Sequence, residues 1–156
     1  MTASRIPFIE KWRKTSWADR ALLVEALSAL AFARLAIALL PFRTVGRLAG
    51  GIRVAGPMPQ EARLATIRRV RWAIRAGARR APFRAVCFQQ GLAAQLMLRR
   101  RRVASTLYFG AAPDDARGLA AHVWVRDGNI DVIGCEEAPR FPVLAQFPGA
   151  AAGGKL

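Results

Sequence analysis

Ala120-Ala121-His122-Val123-Trp124-Val125-Arg126-Asp127-Gly128-Asn129-Ile130-Asp131-Val132-Ile133-Gly134 is the stretch that decides the fold. Two runs rich in β-branched and aromatic residues flank Asp127-Gly128, a strong two-residue hairpin signal. The pattern predicts a strand over 120–126 and a returning strand over 129–133. Upstream, Val103–Phe109 also has strand composition, and 110–118, with Pro113, Asp114 and Asp115, reads as a loop. The tail from Glu136 reads as loop, frayed at 153–156.

Everything before this meander is helical in pattern. Ser16 with Asp19 three positions on resembles a capping box, and dense apolar residues then run to Leu40, where Pro41 stops the helix. Leu23, Leu27, Leu30 and Arg34 keep helical spacing. Because this helix is apolar nearly all round, it is expected to pack on two sides. Residues 42–60 read as a short helical piece and a Gly/Pro linker. A second helix is expected over 61–79, with an apolar line at Leu64, Ile67, Val70 and Ile74 beside an arginine stripe at 68, 71, 75 and 79. After the break at Ala81-Pro82-Phe83, a third helix spans Cys87 to Arg100. Helices first and antiparallel strands after give an α+β fold, not a parallel α/β sheet. The expected organisation is a helical region and linker over 1–60, a core over 61–148 and a flexible tail over 149–156.

The chain has 156 residues and a formal charge of +15, and every basic residue except Lys11, Lys14 and Lys155 is arginine. The charge favours anionic partners, although a GC-rich genome would enrich arginine and alanine as well. The two cysteines, Cys87 and Cys135, are far apart and form no disulfide framework, which suits a reducing cytoplasm. With one histidine and no metal-like spacing, no metal site is expected, and no cofactor fingerprint appears. Residues 1–15 do not read as a secretory signal. Residues 21–40 have the length of a membrane span but carry Glu25 and Arg34, so a buried or membrane-surface helix is the expectation.

Cys87 falls at the leading end of the third helix, where unpaired N–H groups and the helix dipole favour a thiolate. His122 is the sole histidine, so any Cys–His chemistry passes through it. A carboxylate should orient its ring. With a two-residue turn at Asp127-Gly128, Trp124 pairs with Asp131, which becomes a diagonal neighbour of His122, roughly 7–8 Å away. With a three-residue turn, Asp131 faces away and Glu136 takes the histidine's side. The two-residue turn, and so Asp131, is favoured. Gln89 and Gln90 either line the site or face solvent. The run 99–102 is four arginines, which complement the helix C-terminus or form an acidic-peptide patch.

The run Cys87-Phe88-Gln89-Gln90-Gly91-Leu92-Ala93, a following strand, Ala121-His122-Val123-Trp124-Val125, Asp-Gly and Val132-Ile133-Gly134 together resemble the leader peptidases of lasso-peptide biosynthesis, a transglutaminase-like family of the microcin-processing type. Ala18-Asp19-Arg20-Ala21-Leu22-Leu23 through Leu40-Pro41-Phe42 is similar to their helical leading part, so the resemblance covers at least 17–147. It implies a transglutaminase/papain-like core in which a Cys-bearing helix packs on an antiparallel sheet, with a Cys-His-Asp arrangement that cleaves the leader from a ribosomal precursor peptide. It implies as partners a separate leader-recognition protein and an asparagine-synthetase-like macrolactam cyclase. The family pattern carries an Asp near Gly134. Here the following residue is Cys135, which reads as a neutral filler, and Asp131, Glu136 or Glu137 must substitute. The competing readings are a basic nucleic-acid-binding protein, without any recognisable nucleic-acid motif, and a membrane-associated adaptor using 21–40.

Overall fold

A computed structural model describes residues 16–50, 57–116 and 118–148. The absence of a signal over 1–15, the glycine-rich part of the linker at 51–56 and the tail over 149–156 lie outside the described residues.

Four helices precede a four-stranded sheet: α1 (Trp17–Leu39), α2 (Phe42–Ala49), α3 (Gln60–Ala78), α4 (Cys87–Arg100), β1 (Thr106–Asp114), β2 (Gly118–Asp127), β3 (Ile130–Ile133) and β4 (Val143–Pro148). A short 3-10 turn, Ala138–Arg140, leads into β4. The sheet order is β3-β2-β1-β4, antiparallel throughout. The fold is α+β.

Local chemistry sets the helix ends. The Ser16 hydroxyl accepts from the Asp19 N–H at 3.1 Å and donates to the Asp19 carboxylate at 2.8 Å, so the expected cap forms. Pro41 follows the last turn of α1 and leads directly into α2. In α3, Ile67, Val70 and Ile74 are buried as their spacing predicts. The arginine stripe is largely a clamp: Arg71 donates through Nε to the Val132 carbonyl at 2.7 Å and through Nη2 to the Asp131 carbonyl, while Arg75 pairs with Glu136.

One core is shared by all four helices and one face of the sheet. Leu30 of α1, Ile74 of α3, Leu92 and Leu98 of α4, Leu107 of β1 and Val125 of β2 are each fully enclosed in it. Alternation along β2 sends Trp124 to the opposite face, where it packs with Cys135, Ala138 and Phe141. Gln95 ties the periphery together. Its amide nitrogen lies 2.8 Å from the Ser105 carbonyl, 3.2 Å from that of Ala49 and 3.3 Å from that of Phe147, and its oxygen accepts from the Ser105 hydroxyl.

Four expectations are corrected. α1 packs on one side only, against α3 and α4, and its outer face is exposed. By length and composition it is the one helix among the described residues able to cross a membrane, with a mean hydropathy of 2.0. β1 continues through the expected loop to Asp114, because pairing with β2 runs on to Gly118. The segment after Glu136 is not loop: Val143–Pro148 adds an edge strand beside β1. The hairpin register also differs. Asp127 stays in β2 opposite Ile130, and the turn is Gly128-Asn129. The Asp127 carboxylate is buried and held by Arg63 of α3, which keeps it out of the turn.

Candidate active site

Cys87 is the first residue of α4, preceded by Val86 in extended conformation. Two glutamines fix this entry. The Gln89 side-chain oxygen accepts from the Val86 N–H at 2.8 Å, and Gln90 Nε2 donates to the Ala85 carbonyl at 2.8 Å. Gln89 is therefore a buried cap, while Gln90 also lines the site. The first N–H groups of a helix have no partner within it, so the Cys87 sulfur sits beside a positive helix end.

One turn later comes Gly91, where a Cβ would lie 2.7 Å from Val123 Cγ1. Its missing side chain lets α4 press directly on β2 at the residue beside His122. This contact carries the tip of α4 to the strand that bears the imidazole. Cys87, Gln90, His122, Val123, Gly134 and Glu136 line one pocket of about 200 Å³, with Arg75 and Ile133 completing its wall. Cys87 is partly exposed at this pocket.

His122 is buried and oriented on three sides. Its ring stacks on Phe141, with centroids 5.1 Å apart, and on Trp124 at 6.0 Å. Its Nε2 lies 2.7 Å from the Gly134 carbonyl oxygen. A carbonyl only accepts, so Nε2 carries the proton, and in the neutral ring Nδ1 holds the lone pair. The imidazole is bonded to Gly134 and not to the Cys87 thiol. Gly134 has φ +73°, and a Cβ there would lie 2.6 Å from the Val123 carbonyl oxygen. Only glycine fits this turn, and the turn brings its carbonyl to the histidine.

Asp131 does not join this group. It pairs with Arg126 across the hairpin, not with Trp124, and a bulge separates that pair from Val125–Ile133. Its carboxylate accepts from Arg126 Nε at 2.9 Å and is largely exposed. It shares the face of His122 but sits opposite a position four residues along β2, about 13 Å at the usual strand rise. Glu136 does line the pocket, but it is bound to Arg75 and held below the usual carboxylate range by its own backbone N–H and by that guanidinium. Glu137 lies 3.8 Å from Arg140 at the surface. Cys135, which follows Gly134 where the family pattern carries an acid nearby, is buried. Its thiol donates to the Val125 carbonyl at 3.2 Å, and burial pushes its pKa up. Nothing in the residue types marks Gly134 as the histidine's partner, because a backbone carbonyl carries no residue signature. The left-handed glycine after a returning strand was the one available hint.

A family model described as transglutaminase-like superfamily matches residues 26–146, most of the chain. The chain belongs to the transglutaminase-like superfamily. The match runs from α1 through β4 and so includes both Cys87 and His122. No curated protein and no solved structure matches this transglutaminase-like chain. Among the described residues, no group of three or more His, Cys, Asp or Glu side chains is placed to hold a metal ion.

Proposed function

We propose that this transglutaminase-like protein is a cysteine peptidase that removes the leader from a ribosomally made lasso-peptide precursor. The observation that carries the hydrolase reading is the meeting of Cys87, at the leading tip of α4, with His122 in one pocket. The peptide class rests on the sequence resemblance.

In this mechanism Nδ1 of His122 takes the Cys87 proton, and the thiolate attacks the scissile carbonyl. The N–H groups at the start of α4, that of Cys87 among them, stabilise the oxyanion. The imidazolium returns its proton to the departing amine as the C–N bond breaks, which leaves a thioester. Water, deprotonated by His122, then releases the carboxylate and restores the thiol. The Gly134 carbonyl takes the orienting role that a carboxylate fills in a full triad, holding the Nε2 proton so that Nδ1 stays basic. A separate leader-recognition protein would deliver the precursor, and an asparagine-synthetase-like cyclase would consume the freed core peptide.

The test is precursor cleavage followed by mass spectrometry, with the recognition protein present. Cys87→Ala should abolish cleavage while keeping the circular dichroism and unfolding midpoint of the parent, and His122→Ala should abolish it with the parent circular dichroism but a lowered midpoint, because its buried ring stacks on Phe141 and Trp124. Undiminished cleavage by Cys87→Ala would remove the assignment.

A further inference from the structure

The outer face of α1 is apolar along its whole length. Trp17, Val24, Phe32, Leu35 and Leu39 recur at helical spacing and are 83%, 56%, 48%, 58% and 75% exposed. Between them lie exposed Ala21 and Ser28, and the Ser28 hydroxyl is turned back onto the Val24 carbonyl at 3.0 Å. Leu40, just past the end of the helix, is exposed as well. A continuous apolar stripe of this size on a helix marks a contact surface.

Of the charges of α1, Arg20 meets the stripe at its N-terminal end, where its guanidinium lies 5.0 Å over the Trp17 ring, and the others are kept off it. Glu25 is bonded to Arg101 at 2.6 Å with Arg100 nearby, Asp19 to Arg69 at 3.0 Å, and Arg34 lies over the Phe83 ring at 5.3 Å. Cations flank the helix in the sequence instead. Arg43 and Arg47 are exposed on α2, and Lys11, Arg13 and Lys14 precede α1 in the sequence.

We propose that α1 is an interfacial helix that seats the protein on an anionic lipid surface, its apolar stripe in the acyl boundary and its flanking cations on the headgroups. Three observations favour this occupant. The opposite face of the same helix, including Leu22, Ala26, Leu30 and Ala33, is built into the protein core, so α1 lies along a membrane and does not cross it. The formal charge of +15 complements anionic lipid and opposes a second copy of the chain. The helix rises about 35 Å, a band suited to an extended flat surface. The proposal does not rest on the peptidase reading.

Co-sedimentation of the full chain with vesicles tests it, comparing phosphatidylcholine alone with phosphatidylcholine mixed with phosphatidylglycerol. The protein should pellet with the mixed vesicles, less with phosphatidylcholine alone, and less as salt rises. The double variant Phe32→Glu, Leu35→Glu should lower binding to mixed vesicles by roughly tenfold or more. Both residues are exposed, so the variant should keep the parent unfolding midpoint and its precursor cleavage in vesicle-free buffer. Absence of pelleting with mixed vesicles, or equal pelleting of parent and variant, overturns the proposal. A concentration-dependent dimer in sedimentation velocity that the variant abolishes, without vesicle binding, assigns the stripe to a second copy and overturns it as well.

Discussion

Phe141 and Trp124 fix the plane of the histidine ring, but the hydrogen bond from its Nε2 goes to a backbone carbonyl, and that carbonyl rests on one glycine. At Gly134 any side chain meets two penalties. A left-handed backbone costs a non-glycine residue about 1–2 kcal/mol, and a Cβ there would lie 2.6 Å from the Val123 carbonyl oxygen. Gly134→Ala must therefore shift the turn and withdraw the acceptor from Nε2. A displacement on the order of 1 Å at such a group costs up to about 10²-fold in rate. Asp131→Asn removes only an exposed pair with Arg126, which contributes about 0–1 kcal/mol. We expect Gly134→Ala to lower kcat for precursor cleavage by roughly 10–10²-fold with the parent fold retained, and Asp131→Asn to leave kcat unchanged. The reverse ranking would restore the carboxylate as the orienting group. Cys87 and His122 were legible in the sequence because each residue type carries its own chemistry. The partner of His122 was not, because it is a backbone carbonyl, which every residue type carries alike. The turn at Gly128-Asn129, with Asp127 kept in β2 by Arg63, places Asp131 opposite Arg126.

At the scale of elements, the helices were legible almost to the residue, because Ser16, Pro41 and the break before Cys87 mark their ends chemically. β4 was not. It is an edge strand with mostly exposed residues, so its sequence lacks the alternation that a half-buried strand must have. The joint between α1 and α4 carries a testable charge. Arg101 donates to both oxygens of Glu25, at 2.9 and 2.6 Å, and holds that carboxyl below its ordinary value of 4.5. A depressed folded pKa adds stability that is fully present above the unfolded value and is lost as pH falls through the folded one. The pair is partly exposed, so its worth is discounted to about 1 kcal/mol. Glu25→Gln should lower the stability measured by urea unfolding by about that amount at neutral pH. The gap should close as the pH falls below 4.5. A gap that persists unchanged well into the acid range would show that packing, and not charge, carries the joint.

For the whole molecule, the question is whether the half that carries Cys87 and His122 can stand without its leading helices. The sequence suggests a break, since glycines and prolines separate residues 1–60 from the rest. The core does not follow that break. Leu22, Ala26, Leu30 and Ala33 of α1 are between 0% and 6% exposed, and they share one cluster with Ile67 and Val70 of α3 and Leu98 of α4. Burying a leucine side chain stabilises by about 1.5–3 kcal/mol, and a domain of this size has only about 5–15 kcal/mol in total. Losing the three buried leucines of α1 (Leu22, Leu23 and Leu30), its buried alanines and the Glu25–Arg101 joint therefore removes a large share of the margin. It also uncovers the faces of α3 and α4, and α4 is the element that carries Cys87 to His122. We expect a chain of residues 57–148 to show no cooperative thermal transition, to bind a hydrophobic dye strongly and to cleave nothing, whereas residues 16–148 unfold cooperatively. If 57–148 melted as a single unit and processed precursor, α1 would be an appendage to an independent peptidase core, and the site's geometry would owe nothing to the helix that packs behind it.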